Sequence, residues 1–163
     1  MEKIKELIGL LLADFELENE DDMWTALQLA VDNPKQYLDD NEAEWLLEAD
    51  PEGIVQYAVS NEIGEFMIIG DKIDEIHELI VDELEGDLPA YPYEKKLNAA
   101  DYIQWVTAEI KKEYLELELI EIGDSYGDNI QLMLVYAEDV PRIKELCEAL
   151  NIRCNSADEI LKF

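Results

Sequence analysis

Basic side chains are scarce in this sequence: 163 residues include 12 Lys and Arg against 41 Asp and Glu, a formal net charge of -29 at pH 7. Of the acids, 16 precede residue 61 and 25 follow it, so the charge belongs to the folded surface rather than to a tail. Because nucleic acids and anionic membranes are bound through basic side chains, neither is an expected partner. Two interpretations stay open: the acids only solubilise the protein, or they attract a basic protein partner.

Residues that bind metals and phosphates are also rare. One histidine, His77, and two cysteines, Cys147 and Cys154, lack the spacing of zinc ligands. The cysteines are too few and too close together for a secreted disulfide framework, so we expect both to be reduced thiols. No glycine-rich phosphate loop occurs. The sequence therefore predicts neither a metal nor a cofactor.

Long apolar runs are missing as well. No stretch approaches the length of a membrane span, and the apolar N-terminal stretch is interrupted by acids and lacks a signal-peptide cleavage site. We therefore expect a cytoplasmic protein.

Hydrophobic residues still make up 48% of the chain, enough to offset the entropy lost on folding. The length predicts one compact domain over residues 1–163, with a helical part at 1–62 and an α+β part at 63–163.

The clearest structural pattern lies between residues 114 and 151. Apolar residues alternate with acids up to residue 122, a polar loop spans 123–129, and an apolar run follows at 130–136. This pattern predicts an antiparallel hairpin. A helix is expected from about residue 140 to 150, with Ile143, Leu146 and Leu150 buried against the hairpin.

The rest of the chain is predominantly helical in pattern. Apolar residues at helical spacing predict several helices before residue 62, and a short apolar run at 65–69 predicts a first strand. Asp50 and Asp71 are predicted to cap the helices that follow them. The order of elements after residue 64 favours an α+β fold with a small, mostly antiparallel sheet in ferredoxin-like split βαβ order plus an extra helix. A three-stranded meander covered by helices is the alternative.

The hairpin loop is the most suggestive candidate site. Its candidate functional residues are Asp124, Ser125, Tyr126 and Asp128. The two aspartates, Ser125 and Asn129 offer oxygen atoms to a hard cation, but their spacing differs from that of calcium-binding helix-loop-helix sites. Residues of these types also serve a turn without any ligand. The Gly-Asp-Ser sequence is similar to the nucleophile block of lipase-like hydrolases, whose serine needs a base. His77 is the only histidine, and its helical neighbours predict a solvent-facing position instead.

Aromatic residues in the proline-containing connector 87–97 form a second candidate. Tyr91 and Tyr93 lie there, and Tyr102 and Trp105 follow in the next predicted helix. Exposed aromatic side chains are enriched at binding hot spots. Packing of the connector onto the sheet is the alternative explanation.

The hairpin and the helix after it, LELIEIGDSYGDNIQLMLVYAEDVPRIKELCEALNI, resemble an uncharacterised bacterial domain family. In that family a strand enters a Gly/Ser-Asp-Ser/aromatic turn, returns as an apolar strand and leads into a helix. The stretch FMIIGDKIDEIHELI is similar to the family's earlier strand-Asp-Lys block, so the resemblance covers about residues 65–152. It implies a bacterial origin and a single domain, and it carries no activity or site residue.

The leading hypothesis is a non-enzymatic, acidic interaction domain that binds a basic protein, in the manner of immunity or antitoxin-type inhibitors of toxins. The competing hypothesis is a hydrolase or metal-dependent enzyme that uses residues 124–128. A structural or regulatory subunit is the third possibility.

Overall fold

The fold is α+β, as the sequence predicts. The computed structural model describes residues 1–13, 15–85, 88–92 and 97–160. Within these ranges the elements follow one another in this order: α1 (Glu2–Leu11), α2 (Glu20–Asp32), α3 (Pro34–Asp40), α4 (Leu46–Ala49), α5 (Ile54–Ile63), β1 (Ile68–Gly70), α6 (Ile73–Glu83), α7 (Ala99–Glu113), β2 (Leu117–Ile122), β3 (Ile130–Tyr136), α8 (Val140–Leu150), β4 (Cys154–Asn155) and α9 (Ala157–Ile160).

The described strands form one antiparallel sheet in the order β1-β3-β2-β4. The predicted hairpin is confirmed, because Leu119 of β2 lies opposite Leu134 of β3. On its other side β3 pairs with β1, where Ile68 lies opposite Leu132. Since both pairings are antiparallel, β1 and β2 run parallel on either side of β3, which is the predicted split βαβ arrangement. The short strand β4 pairs with β2 at the opposite edge.

Helices cover both faces of the sheet because successive residues of a strand point to opposite sides. Ile120 and Ile122 of β2 join a core cluster built with α1, α2, α5 and α8. Leu119 joins a second cluster built with α6, α7 and Ile160 of α9. The sheet therefore separates two apolar cores. None of the helices in the described part of the chain combines the length and the apolar character that crossing a membrane requires.

The first and the last long helices pack together. Four residues of α1 at helical spacing are buried, and Ile143 and Leu146 of α8 are buried as predicted, whereas Leu150 is only half-buried. Across this contact the Arg142 guanidinium makes a bidentate pair with the Glu6 carboxylate, with N–O distances of 2.7 and 2.8 Å. Both ends of the sequence thus contribute to one core.

Helix starts differ from the sequence expectation at several places. The predicted caps Asp50 and Asp71 are wrong: a 3-10 turn at Pro51–Gly53 precedes α5, and α6 begins after Lys72 without a side-chain cap. The predicted first strand also begins later, at Ile68, because Gly64–Phe66 form another 3-10 turn. Local sequence favoured a cap at Asp50, but its carboxylate accepts a bond from a distant tyrosine instead.

Ser156 and Glu159 pair at the start of α9. Glu159 Oε1 accepts hydrogen bonds from the backbone N–H and the hydroxyl of Ser156, at 3.1 and 2.9 Å. The same oxygen also accepts a bond from Lys144 Nζ. Lys144 first and Ser156 second lower the pKa of Glu159 to about 2. One carboxylate thus joins α8 to the start of α9.

This contact predicts a pH-dependent contribution to stability. Because the pKa of Glu159 is lower in the folded state than its ordinary value of 4.5, the contribution is complete above that value and is lost as pH falls toward about 2. The side chains of Lys144 and Glu159 are 39% and 38% exposed, so we expect only about 0.5–1 kcal/mol after solvent screening. Denaturant unfolding of wild type and Glu159→Gln between pH 7 and 2 measures it.

The two unfolding free energies should converge as the pH falls. Glu145→Gln is the matched control, since it removes one exposed charge and leaves Ser156 and Lys144 untouched. Any change common to both variants reflects net charge. A constant difference between wild type and Glu159→Gln down to pH 2 would contradict the assigned role of this carboxylate.

Candidate interaction site

The hairpin loop 123–129 is held by its own polar side chains. Asp124 Oδ1 accepts a hydrogen bond from the Tyr126 backbone N–H at 2.8 Å, and Ser125 Oγ accepts one from the Gly127 N–H at 3.2 Å. Gly123 and Tyr126 adopt positive φ angles of 78° and 55°. Asp124 and Ser125 therefore stabilise the turn directly, as their residue types indicate.

A substitution pair at Asp124 tests this structural role. Asp124→Ala removes the acceptor of the Tyr126 N–H and should lower the free energy of unfolding by about 1 kcal/mol. Asp124→Asn keeps a side-chain oxygen at the same place, so we expect a change of less than about 0.5 kcal/mol. Asp128→Ala, at an exposed position of the same loop, is the control. Equal losses for Ala and Asn at residue 124 would show that its charge, not its hydrogen bond, matters.

Tyr126 connects the loop to the N-terminal helices. Its hydroxyl donates to Asp50 Oδ2 at 2.8 Å and accepts from Gln56 Nε2 at 3.0 Å. Gln56 is buried, and its Oε1 accepts the backbone N–H of Arg153 at 2.6 Å. Burial, together with the bond to Asp50, raises the pKa of Tyr126 to about 12, so the hydroxyl stays protonated as a donor. The ring is therefore fixed in one orientation.

The Tyr126 ring forms part of an aromatic patch, which we define as Trp45, Tyr57 and Tyr126. Trp45 lies between the two tyrosines, with ring centroids 5.6 Å from Tyr126 and 6.2 Å from Tyr57, both nearly edge-to-face. Behind the patch, Tyr57 meets the buried Tyr37, whose hydroxyl donates to Glu62 at 2.7 Å. Trp45 is nevertheless 47% exposed. A rigidly supported tryptophan thus faces solvent.

Every charged residue in the sequence stretch that carries Trp45 and Tyr57 is acidic. Residues 36–71 contain ten Asp and Glu and no Lys or Arg. Glu44 and Glu48 lie near Trp45 in sequence and are exposed. Asp50 accepts a hydrogen bond from the Tyr126 hydroxyl, and Glu62 accepts one from the Tyr37 hydroxyl. Desolvation, with the Glu62 charge as a smaller cause, raises the pKa of Tyr57. The aromatic patch therefore lies in a region of negative potential.

The other predicted site residues lie elsewhere. The ring of Tyr91 packs against His77 and Tyr102, with centroid distances of 5.9 and 5.7 Å, in the core on the opposite face of the sheet. Tyr93 lies outside the described residues. Tyr91 and the hairpin loop therefore contribute to different parts of the molecule, and among the candidates that the structure describes Tyr126 alone joins the aromatic patch.

His77 does not face solvent, so that prediction is wrong. The side chain is buried, with 3% exposure. Its Nε2 lies 2.8 Å from the Pro89 carbonyl oxygen and its Nδ1 lies 2.9 Å from the Tyr102 hydroxyl. Because a carbonyl can only accept, Nε2 carries the proton, and Nδ1 accepts from Tyr102. Both ring nitrogens are engaged, so in this geometry neither serves as a base for Ser125.

Within the described ranges, no three His, Cys, Asp or Glu side chains are grouped so that they could hold a metal ion.

Comparison of the chain with known proteins finds no matching family model, no matching curated protein and no matching solved structure. The resemblance to a bacterial family over residues 65–152 therefore stays a prediction.

Sequence analysis missed three of the residues that build this site: Trp45, Asp50 and Gln56. Trp45, Leu46 and Leu47 are three apolar residues in a row, but only Leu46 is buried. A usable signal was present, since a tryptophan in a 36-residue stretch without a basic residue is an unusual combination. The long-range contact between Asp50 and Tyr126 has no local signal at all.

Proposed function

We propose that this chain is a cytoplasmic, non-enzymatic interaction domain that binds a basic segment of another protein through the aromatic patch. The observation that carries the proposal is Trp45, exposed on a rigid ring cluster and set in a sequence stretch, residues 36–71, with ten acids and no Lys or Arg. An inhibitor that covers a basic protein, as immunity and antitoxin-type proteins do, is the class of function that this surface fits best.

The chemistry of the patch suits an arginine or lysine side chain. Tryptophan is the strongest aromatic partner of a cation placed over its face, with a gain of about 0.5–2 kcal/mol per contact. Tryptophan and tyrosine are also enriched among the residues that dominate binding energy. The surrounding carboxylates attract a basic partner over a distance and accept its hydrogen bonds on contact. Because Tyr126 is already hydrogen-bonded and Tyr57 already packs between Trp45 and Tyr37, few side-chain conformations have to be lost on binding.

The first test uses an Arg- and Lys-rich peptide of about twelve residues, a length chosen so that the extended chain spans roughly 40 Å. Trp45→Ala should weaken its binding at least about tenfold, since a buried aromatic anchor contributes about 2 kcal/mol or more. Leu115→Ala is the matched control, because Leu115 is 82% exposed and lies outside the patch. Titration by calorimetry measures both affinities, and equal affinities for the two variants would contradict the proposal.

A second test separates a specific site from a general charge effect. Glu44→Gln/Glu48→Gln and Glu113→Gln/Glu116→Gln remove the same number of exposed carboxylates, one pair beside Trp45 and the other pair in and after α7. The first pair should reduce the association rate more than the second. Raising the salt from about 0.05 to 0.5 M should slow association about tenfold in wild type. Identical effects of the two pairs would mean that the acids act only as a solubilising coat.

A further inference from the structure

The two cysteines meet beside a groove. Cys147 lies in the last turns of α8 and is 1% exposed, whereas Cys154 begins β4 and is half-buried. The chain turns back between them, since Asn151 adopts a left-handed conformation and the Ile152 N–H donates to the Cys147 carbonyl at 2.8 Å. Each thiol shifts the pKa of the other, and both cysteines line the same groove. The fold therefore places the two thiols on the same side of α8 and β4, within one cluster.

The turn between the cysteines is anchored on both sides. Asn151 Nδ2 donates to the Glu52 carbonyl at 2.9 Å, and the Arg153 N–H donates to Gln56 Oε1 at 2.6 Å. These bonds attach the turn to the region around α5. The proximity of the two sulfur atoms is thus enforced by the fold and does not depend on a flexible tail.

The two thiols differ in reactivity. The bond to Cys147 and the Lys144 ammonium lower the pKa of Cys154, although burial opposes this. Donation of that bond and burial raise the pKa of Cys147. Because Cys147 is 1% exposed and Cys154 is only half-buried, a reactant in the groove reaches Cys154 first, and the lowered pKa of Cys154 favours its nucleophilic thiolate. Cys147 lies beside it, in the position of a resolving thiol.

The groove beside Cys154 offers room for a small reactant. Its volume is about 760 Å³, and it lies between α8 and the β2–β4 edge of the sheet. Both cysteines line it, together with Lys144 and three acids, Glu118, Glu145 and Glu148. One oxygen of Glu118 is buried without a hydrogen-bond partner, while Lys144 is already paired with Glu159 and Glu145 with Arg142. The groove therefore favours a cationic ligand over an anionic one.

From this geometry we propose that Cys147 and Cys154 form a redox-active dithiol that reduces small cationic disulfides bound in the groove. The Cys154 thiolate attacks one sulfur of the disulfide R–S–S–R, forming a Cys154–S–S–R bond and releasing RS⁻. The Cys147 thiol then loses its proton to solvent and attacks the Cys154 sulfur, releasing the second RS⁻. The protein loses two electrons and two protons, and the disulfide becomes two thiols. This activity is independent of the proposed protein interaction.

Cystamine, a small dicationic disulfide, is the probe. Reduced wild-type protein mixed with cystamine at pH 7.5 should lose the mass of two hydrogens and release two thiols. Cys147→Ser should stop at a mixed disulfide and gain one cysteamine, whereas Cys154→Ser should stay unmodified because Cys147 is buried. Intact-mass spectrometry follows each reaction, and circular dichroism shows that each variant is folded. Equal modification of both single variants, or no oxidation of the wild type, would overturn the proposal.

Two further measurements use only the wild-type protein. A trivalent monoaryl arsenical, which bridges two nearby thiols, should bind native wild-type protein one to one and block both cysteines. Absence of that adduct would mean that the sulfur atoms are not neighbours. Oxidised glutathione, an anionic disulfide, should react at least about tenfold more slowly than cystamine at 0.05 M salt, where opposite charges attract over the longest range. Equal rates would overturn the cationic preference of the groove.

Discussion

Replacement of Gly53 by alanine is expected to lower the free energy of unfolding by about 2–3 kcal/mol, the cost of forcing a methyl group into a filled site. The added carbon would overlap the Asp50 carboxylate and the Tyr126 hydroxyl at once. The backbone of Gly53 is ordinary, with φ of -94°, so space alone demands glycine here. Relief of the overlap requires breaking the 2.8 Å bond between Asp50 and Tyr126.

The matched control is Gly9→Ala in α1, where an added carbon meets no atom within 4 Å. This exposed helical position should become more stable by about 0.5–1 kcal/mol, because alanine favours the helix over glycine. Urea unfolding measures both variants. Since Gly53→Ala also displaces Tyr126, it should weaken binding of the basic peptide, whereas Gly9→Ala should not. Similar stabilities for the two variants would contradict the close packing of Gly53 against Asp50 and Tyr126.

Replacement of His77 by leucine is expected to cost about 3–4 kcal/mol, because it leaves two buried polar groups without a partner. The Tyr102 hydroxyl and the Pro89 carbonyl oxygen would each lose the bond that His77 now makes. Tyr102 is completely buried, and burial raises the pKa of its hydroxyl. Ionisation therefore cannot relieve the cost of the lost hydrogen bond. Tyr102→Phe should cost about 1–3 kcal/mol because it leaves His77 Nδ1 unsatisfied.

A double-mutant cycle measures the coupling between these two side chains. His77→Leu/Tyr102→Phe removes donor and acceptor together, so its cost should be smaller than the sum of the single costs by about 1–2 kcal/mol. His77→Gln is the matched control, since its amide can still donate to the Pro89 carbonyl. Thermal and urea unfolding give the four free energies. Strict additivity would mean that His77 and Tyr102 do not share a hydrogen bond.

Elements encoded locally could be predicted from the sequence. The limits of α8 follow from Pro141 in its first turn and Asn151 at its end, which adopts the left-handed conformation that terminates helices. Asn98 caps α7 by accepting the Asp101 N–H at 2.8 Å, three residues away. The hairpin follows from two apolar strands on either side of the polar loop 123–129, whose Gly123 and Asp124 are typical turn residues.

Features that depend on distant residues could not be predicted in the same way. His77 is buried because the connector supplies the Pro89 carbonyl and α7 supplies Tyr102, neither of which its own helix reveals. Likewise, Trp45 becomes part of a supported patch only because Tyr126, 81 positions later, packs against its ring and donates a hydrogen bond to Asp50. Apolar spacing shows that a side chain lies on a helix face, but not whether another element covers that face.

The packing of α1 against β3 and α8 has a consequence for synthesis of the chain. When a ribosome has made the first 63 residues, the stripe of Ile4, Leu7 and Leu11 lacks its final partners, because Ile143 and Leu146 are not yet made. At about 5–20 residues per second, translation from residue 63 to Leu146 takes roughly 4–17 s. The N-terminal helices must wait through this interval with apolar surface uncovered. Mutual repulsion among the 16 acidic side chains before residue 61 would keep neighbouring nascent chains apart until the strands of the sheet have been synthesised.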